Sequence, residues 1–220
     1  MLSITQSPEF RQCVPHFKGV YLDCHVVNSP TSPALWQEIE EACAQLSQQL
    51  TPDSLKFQPA IAATRAAYKA CGKDPSRYRP ASEQLARRAL QGKGLYSVDT
   101  LVDLGNLVSL LSGYPTGLLD AEKIEGAVSL GIGTAADDYE GIGRGKLNVE
   151  GLPLYRDHRG GIATPTSDST RTMLSSSTNR LLFIINGYDG QEEAIQRALD
   201  HALALLERYA AMSDCRVAWF

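Results

Sequence analysis

A two-lobed α+β fold is what this sequence predicts, and three features carry that prediction. Segments with apolar side chains at helical spacing fill residues 32–111. Short apolar runs punctuated by glycine follow between residues 126 and 161. A continuous apolar run, Leu181 to Ile185, then leads into a last amphipathic stretch. With 220 residues and 43% hydrophobic content the chain can bury a substantial core, and residues 1–220 are expected to form a single domain.

The elements follow in order. Val20 to Val27 is apolar and β-branched, and reads as a strand that Asn28-Ser29-Pro30 ends. Ser32 before Pro33 marks a helix start, and Leu35, Ile39, Cys43, Leu46 and Leu50 make an apolar stripe suited to covering a sheet. A second helix runs from about Pro59 to Ala70, stopped by Gly72, and carries Arg65, Tyr68 and Lys69 on adjacent turns. A third spans about Ser82 to Leu90. Ser97 is expected to cap a fourth through Leu111, with Asp99 placing negative charge near its positive end, and Gly113 to Gly117 breaks it.

Ala127 to Ile132, Leu147 to Val149 and Leu152 to Tyr155 read as short strands of a meander. Ile162 to Thr178 is almost wholly polar, a loop held against the core strand Leu181–Ile185, and such a loop is a common place for a site. Asp189 with Glu192 three residues on resembles a capping box for the last helix, whose stripe is Ile195, Leu199, Ala202, Leu206 and Tyr209.

Charge is segregated along the chain. Arg65, Lys69, Lys73, Arg77, Arg79, Arg87, Arg88 and Lys93 face only Asp74 and Glu83 over that stretch, in a chain of net charge -4. Clustered cations release counterions from phosphates, and Tyr68 and Tyr78 beside them offer rings for stacking, so a polyanion such as RNA fits. A pair of solvated helix faces fits the same charges. Five widely spaced cysteines argue against a disulfide framework, and the absence of an apolar leader or an 18-residue apolar run argues for a cytoplasmic protein without membrane contact. The four histidines lack metal-ligand spacing, so neither metal nor cofactor is expected. Cys24 and His25, adjacent in a strand, point to opposite faces and make no nucleophile-base pair.

The motif order KFQPAIAATRAAYKACGKDPSRYRPASEQLARR, LYSVDTLVDLGNLVSLLSGYPTGLLD, KIEG and PTSDSTRT resembles the editing domain of the phenylalanyl-tRNA synthetase beta chain, the B3/4 domain, in its free-standing form. The resemblance covers about residues 55–187. It implies mixed sheets and helices in layers, with two interlocked sub-lobes around a central pocket that receives the aminoacylated end of tRNA. The related C-terminal domain of lysidine synthetase shares that domain type. Ser97, Asp103, Asn106, Pro115, Asp120 and Ile124-Glu125-Gly126 match the synthetase pattern, but Tyr96 stands where the family has arginine, and Gly117 where it has the editing histidine. Asp137 and Asp138 stand where free-standing members carry a Gly-Glu pair.

The implied activity is that of a trans-editing deacylase, which hydrolyses the ester of mischarged tRNA. An aminoacyl ester is already activated, so its hydrolysis asks for a positioned water and donors to the developing oxyanion. Asp168 offers a base, Arg171 a planar fork for phosphate or carboxylate, and Ser169 a hydroxyl, which makes these the candidate catalytic residues. Asn106, Thr116, Ser167, Thr172, Arg65 and Tyr68 are candidate substrate contacts, and Lys69, Arg79, Arg87 and Arg88 candidate nucleic-acid contacts. The loop's Asp168 and hydroxyls are also suited simply to capping a turn. Gly117 leaves open a non-catalytic module that binds tRNA or an amino-acid-like ligand.

Overall fold

The computed structural model describes residues 2–220 and builds them in three layers: helices, a central sheet and a second sheet. Its strands are β1 (Ile4–Gln6), β2 (Lys18–His25), β3 (Thr116–Asp120), β4 (Val128–Ile132), β5 (Glu140–Gly141), β6 (Gly145–Lys146), β7 (Pro153–Asp157), β8 (Gly160–Ala163), β9 (Arg180–Gly187) and β10 (Ser213–Trp219). Its α-helices are α1 (Pro8–Cys13), α2 (Pro33–Gln49), α3 (Pro59–Ala70), α4 (Ala81–Leu90), α5 (Thr100–Ser112) and α6 (Glu192–Tyr209).

The central sheet runs β10-β2-β9-β3, antiparallel throughout, and the second runs β1-β4-β7-β8 with β1 parallel to β4. Strand β9 reads as unbroken apolar sequence because both its faces are covered. Leu181, Phe183 and Ile185 join Val20 and Leu22 of β2 against α2, α5 and α6. Leu182 and Ile184 point the other way and meet Val128, Leu130, Tyr155 and Ile162 of the second sheet. Helix α5 approaches β3 closely because Gly105 has no side chain: a β-carbon there would lie 2.4 Å from Leu118 Cδ1. Gly113, at φ +77°, ends the helix in the left-handed conformation.

Several expected boundaries move. Asp99, not Ser97, caps α5, its carboxylate accepting from Val102 N at 2.9 Å. Ser97 instead donates to Asp103 at 2.8 Å, and the buried Asp103 also takes the Val98 N–H and the Thr31 hydroxyl, tying the segment before the helix to its first turn. Leu147–Val149 is not a strand; the short β5-β6 hairpin precedes it, and Leu147 N donates to Tyr139 O. The expected capping box does not form: Asp189 accepts from Gln191 N and Tyr114 Oη, while Glu192 pairs with Lys18. Strands β1, β3, β5, β6, β8 and β10 and helix α1 lie beyond the expected set.

Candidate active-site pocket

The polar loop after β8 crosses the end of β3 and closes a pocket of about 250 Å³ against α4 and α5. Four sequence-predicted residues meet there: Asn106 from α5, Thr116 from β3, and Ser167 and Asp168 from the loop. The remaining wall is mostly apolar, with Leu85, Val98, Val102, Leu118, Met173 and Leu174, and also carries Asp99, Ser109 and Thr164. Such a surface fits an apolar body with a few convergent polar groups at its end.

Asp168 dominates the chemistry. One carboxylate oxygen accepts the Leu118 N–H at 3.1 Å, and the other faces the side of β3 where Gly117 offers no side chain. Burial disfavours the ionised form, and the Leu118 hydrogen bond opposes it only in part, so the carboxyl is pushed up to about 7. Thr116 donates to Gly105 O at 3.3 Å. Asn106 lies half-buried on the same wall, its carboxamide without a hydrogen-bond partner among the described residues.

The loop is braced from beneath. Tyr139 donates to Ser167 O at 2.8 Å, and the fully buried Tyr68 shares a 2.9 Å hydrogen bond with the Thr166 hydroxyl. Burial pushes both phenols far above their ordinary range, so Tyr139 keeps the proton it donates. Thr164 Oγ1 accepts the N–H groups of Thr166 and Ser167, and Ile142 N donates to Asp168 O. Tyr68 thus supports the pocket floor without lining it.

Other predicted site residues lie elsewhere. Arg171 makes a bidentate pair with Asp157, at 3.0 and 2.7 Å, and so points away from Asp168. Burial raises the Asp157 carboxyl, but Arg171 and the N–H groups of Glu125 and Arg159 outweigh it and hold it below the usual range. Ser169 accepts from Arg171 N at 3.3 Å, and the buried Thr172 donates to Ile162 O. Asp137 is bound by Arg156 at 2.8 and 2.6 Å, which with lesser help from Thr134 outweighs its burial and brings its carboxyl down to about 2.

The basic stretch has an unexpected centre. Glu83, fully buried, draws in Arg65 at 2.8 Å, Arg87 at 3.2 Å and Arg79 at 3.4 Å, joining α3, the turn before α4 and α4 itself. Three guanidinium groups around one carboxylate leave this cluster positive, and all three arginines keep part of their surface open to solvent. Lys69 is exposed. Lys73 is drawn inward to the carbonyls of Asn148 and Glu150, over the Tyr78 ring. The sequence carries no sign of the Glu83 hub beyond the helical i, i+4 spacing of Arg79, Glu83 and Arg87. The apolar walls Leu118, Ile142 and Met173, each on a different segment, carry no local pattern at all.

A family model described as the B3/4 domain matches residues 63–211. The phenylalanine–tRNA ligase beta subunit of Mycoplasma pneumoniae (strain ATCC 29342 / M129 / Subtype 1) is 30% identical over 97 residues, which cover 43% of this chain and 12% of that protein. The match therefore spans about an eighth of that relative's length. An N-terminal fragment of the phenylalanyl-tRNA synthetase beta-subunit from Pyrococcus horikoshii superposes with a TM-score of 0.49 at 12% identity, over 98% of this chain and 50% of that one.

Proposed function

The chain belongs to the B3/4 domain family, and from that premise we propose that it is a trans-acting deacylase that hydrolyses the ester of mischarged aminoacyl-tRNA. The observation that carries this reading is the Asp168 carboxyl, poised near 7 in a largely apolar pocket with Asn106 and Thr116 beside it. The amino-acid side chain would occupy the apolar wall. Asp168, its carboxyl raised to about 7, would in its ionised form take a proton from the water attacking the ester carbonyl and return it to the ribose oxygen as the ester C–O bond breaks. The Leu118 N–H fixes one of its oxygens and leaves the other for that water. Asn106, whose carboxamide has no partner among the described residues, supplies a donor for the oxyanion that develops, and no covalent intermediate is required.

The positive cluster around Glu83, with Lys69 and Arg88, would meet the RNA backbone. A phosphate contact of this kind makes affinity fall as salt rises, by about one unit of log-log slope per contact. Such a protein would act where tRNA is charged, in the cytoplasm.

Incubation with a panel of correctly and incorrectly charged tRNAs, followed for amino-acid release, tests the reading. Acceleration above uncatalysed ester loss for at least one mischarged pair is expected. No acceleration with any pair overturns it. The absence of a side chain at Gly117 favours a second reading, a module that holds the charged end without turnover, and this would slow ester loss by shielding the bond.

A further inference from the structure

Near the pocket, Arg88 stacks on Tyr96, a pairing that the proposed ester hydrolysis does not use. The guanidinium carbon of Arg88 lies 3.7 Å from the Tyr96 ring centroid, yet Tyr96 is 69% exposed. An exposed tyrosine with nothing against it samples several rotamers. This one is backed by a planar cation, which donates to Lys93 O at 3.3 Å. One face of the ring is therefore covered and the rest is open to solvent.

Its position relates it to the pocket. Val98 and Asp99, two and three residues after Tyr96, line the pocket, and so does Leu85, one helical turn before Arg88 on α4. Val98, itself 64% exposed, presents an apolar side chain at the pocket two residues from the ring. Arg88 and Tyr96 thus lie on the two segments, α4 and the chain before α5, that also contribute side chains to the pocket.

We propose that the Arg88-Tyr96 pair is a nucleobase-stacking platform that receives an unpaired base at the 3′ end of RNA while the attached aminoacyl group enters the pocket. This rests on the reading that the pocket takes the charged end of tRNA. An open aromatic face takes any base, because every base has a π-face, and an adjacent guanidinium adds cation-π attraction to the stack and to nearby phosphate. Phe57 is as exposed as Tyr96, but the cation over it, Lys56, stands 5.1 Å from the ring, and neither Phe57 nor its neighbours Leu55 and Gln58 line this pocket, which makes it a control.

The test measures the affinity of uncharged tRNA with its 3′ end intact and with its unpaired terminal nucleotides removed, for the parent protein and for Tyr96→Ala, Tyr96→Phe and Phe57→Ala. The parent should prefer the intact end by about 5- to 20-fold, the lower part of the range for a stacked base. Tyr96→Ala should erase that preference without altering melting or the salt slope, because it removes no phosphate contact. Tyr96→Phe and Phe57→Ala should keep it. A parent that does not bind tRNA, or that binds both ends equally, overturns the platform, as does a Tyr96→Ala variant that retains the preference. If Tyr96 discriminates the ends but no ester is ever released, the platform stands and the deacylase reading fails. If ester is released and Tyr96→Ala binds like the parent, only the platform fails.

Discussion

A β-carbon placed on Gly117 would stand 3.5 Å from the carboxylate oxygen Oδ1 of Asp168. The two residues come from β3 and from the loop after β8, and the missing side chain on Gly117 leaves Oδ1 of Asp168 uncovered from that side of the strand. That clearance leaves one oxygen of the half-buried carboxyl without a side chain packed on it from β3.

Asp168→Asn should lower deacylation by about 100-fold or more, the scale of a lost general base. It should also change how stability depends on pH. The Asp168 carboxyl is pushed up from 3.8 to about 7 on folding. Its contribution is therefore fully present below pH 4 and is lost as pH rises toward and through 7, by at most about 4 kcal/mol. The asparagine variant should match the parent at pH 4 and melt above it at pH 8. Calorimetry at the two pH values checks this, and parallel melting curves for both proteins would contradict it.

Gly117→Ala should fold, because its methyl would make ordinary contacts with Asp168 and Ile184. The added methyl shields the carboxyl further from water, which should move the midpoint of the pH-rate profile upward and lower the rate at pH 7. A downward or unchanged midpoint would show that the methyl does not reach the carboxylate.

Arg171→Ala should act on stability. Removing the guanidinium leaves the Asp157 side chain, fully buried, with backbone donors alone. Because those donors remain, a cost of about 2 to 3 kcal/mol is expected, below the 3 to 5 typical of a broken buried pair. The depressed Asp157 carboxyl stabilises the fold above the ordinary carboxylate range and loses that effect as pH falls. The variant should therefore differ most from the parent near neutrality and least in acid. Denaturant melts at pH 7 and pH 3 give the comparison.

Glu83→Gln should be among the most damaging single changes on the helical side. It leaves Arg65, Arg79 and Arg87 crowded about a neutral amide, at a cost of about 3 to 5 kcal/mol. Added salt screens the repulsion and should recover part of the loss. A melting temperature equal to the parent's at low salt would mean that the cluster contributes nothing.

The fold was legible where one local pattern had one meaning. Strand β9 was readable because both its faces bury apolar groups, and α3 because Pro59 opens it and Gly72 follows it. The cap of α5 was misplaced by two residues because Ser97 and Asp99 are equally good caps locally. The choice between them is made by Asp103, which takes the Ser97 hydroxyl. Strand β10 is an edge strand, mostly exposed and bulged at Asp214 and Cys215, and so has no alternation to read.

The site divides in the same way. The loop's composition singled out Asp168, but whether Asp168 or Asp157 would hold Arg171 depends on the β7-β8 turn, which brings Asp157 beneath that guanidinium. Nothing in the spacing of these charges distinguishes the two outcomes. The approach of Asp168 to Gly117, far apart in sequence, follows from the docking of its loop on β3 and from the bridge between Gly141 and Ser169.

The bracing of the loop by Tyr68 and Tyr139 has an evolutionary consequence. Substitutions beneath the loop disturb buried hydrogen bonds and are removed by selection for folding, whereas Val98, Ile142 and Met173 at the mouth are exposed and can change at little cost in stability. If the pocket takes the side chain of a charged amino acid as proposed, lineages of this protein could drift in which side chain they admit while inheriting the same carboxyl in the same place. Divergence in substrate choice should be written at the rim, in residues that a comparison of cores would overlook.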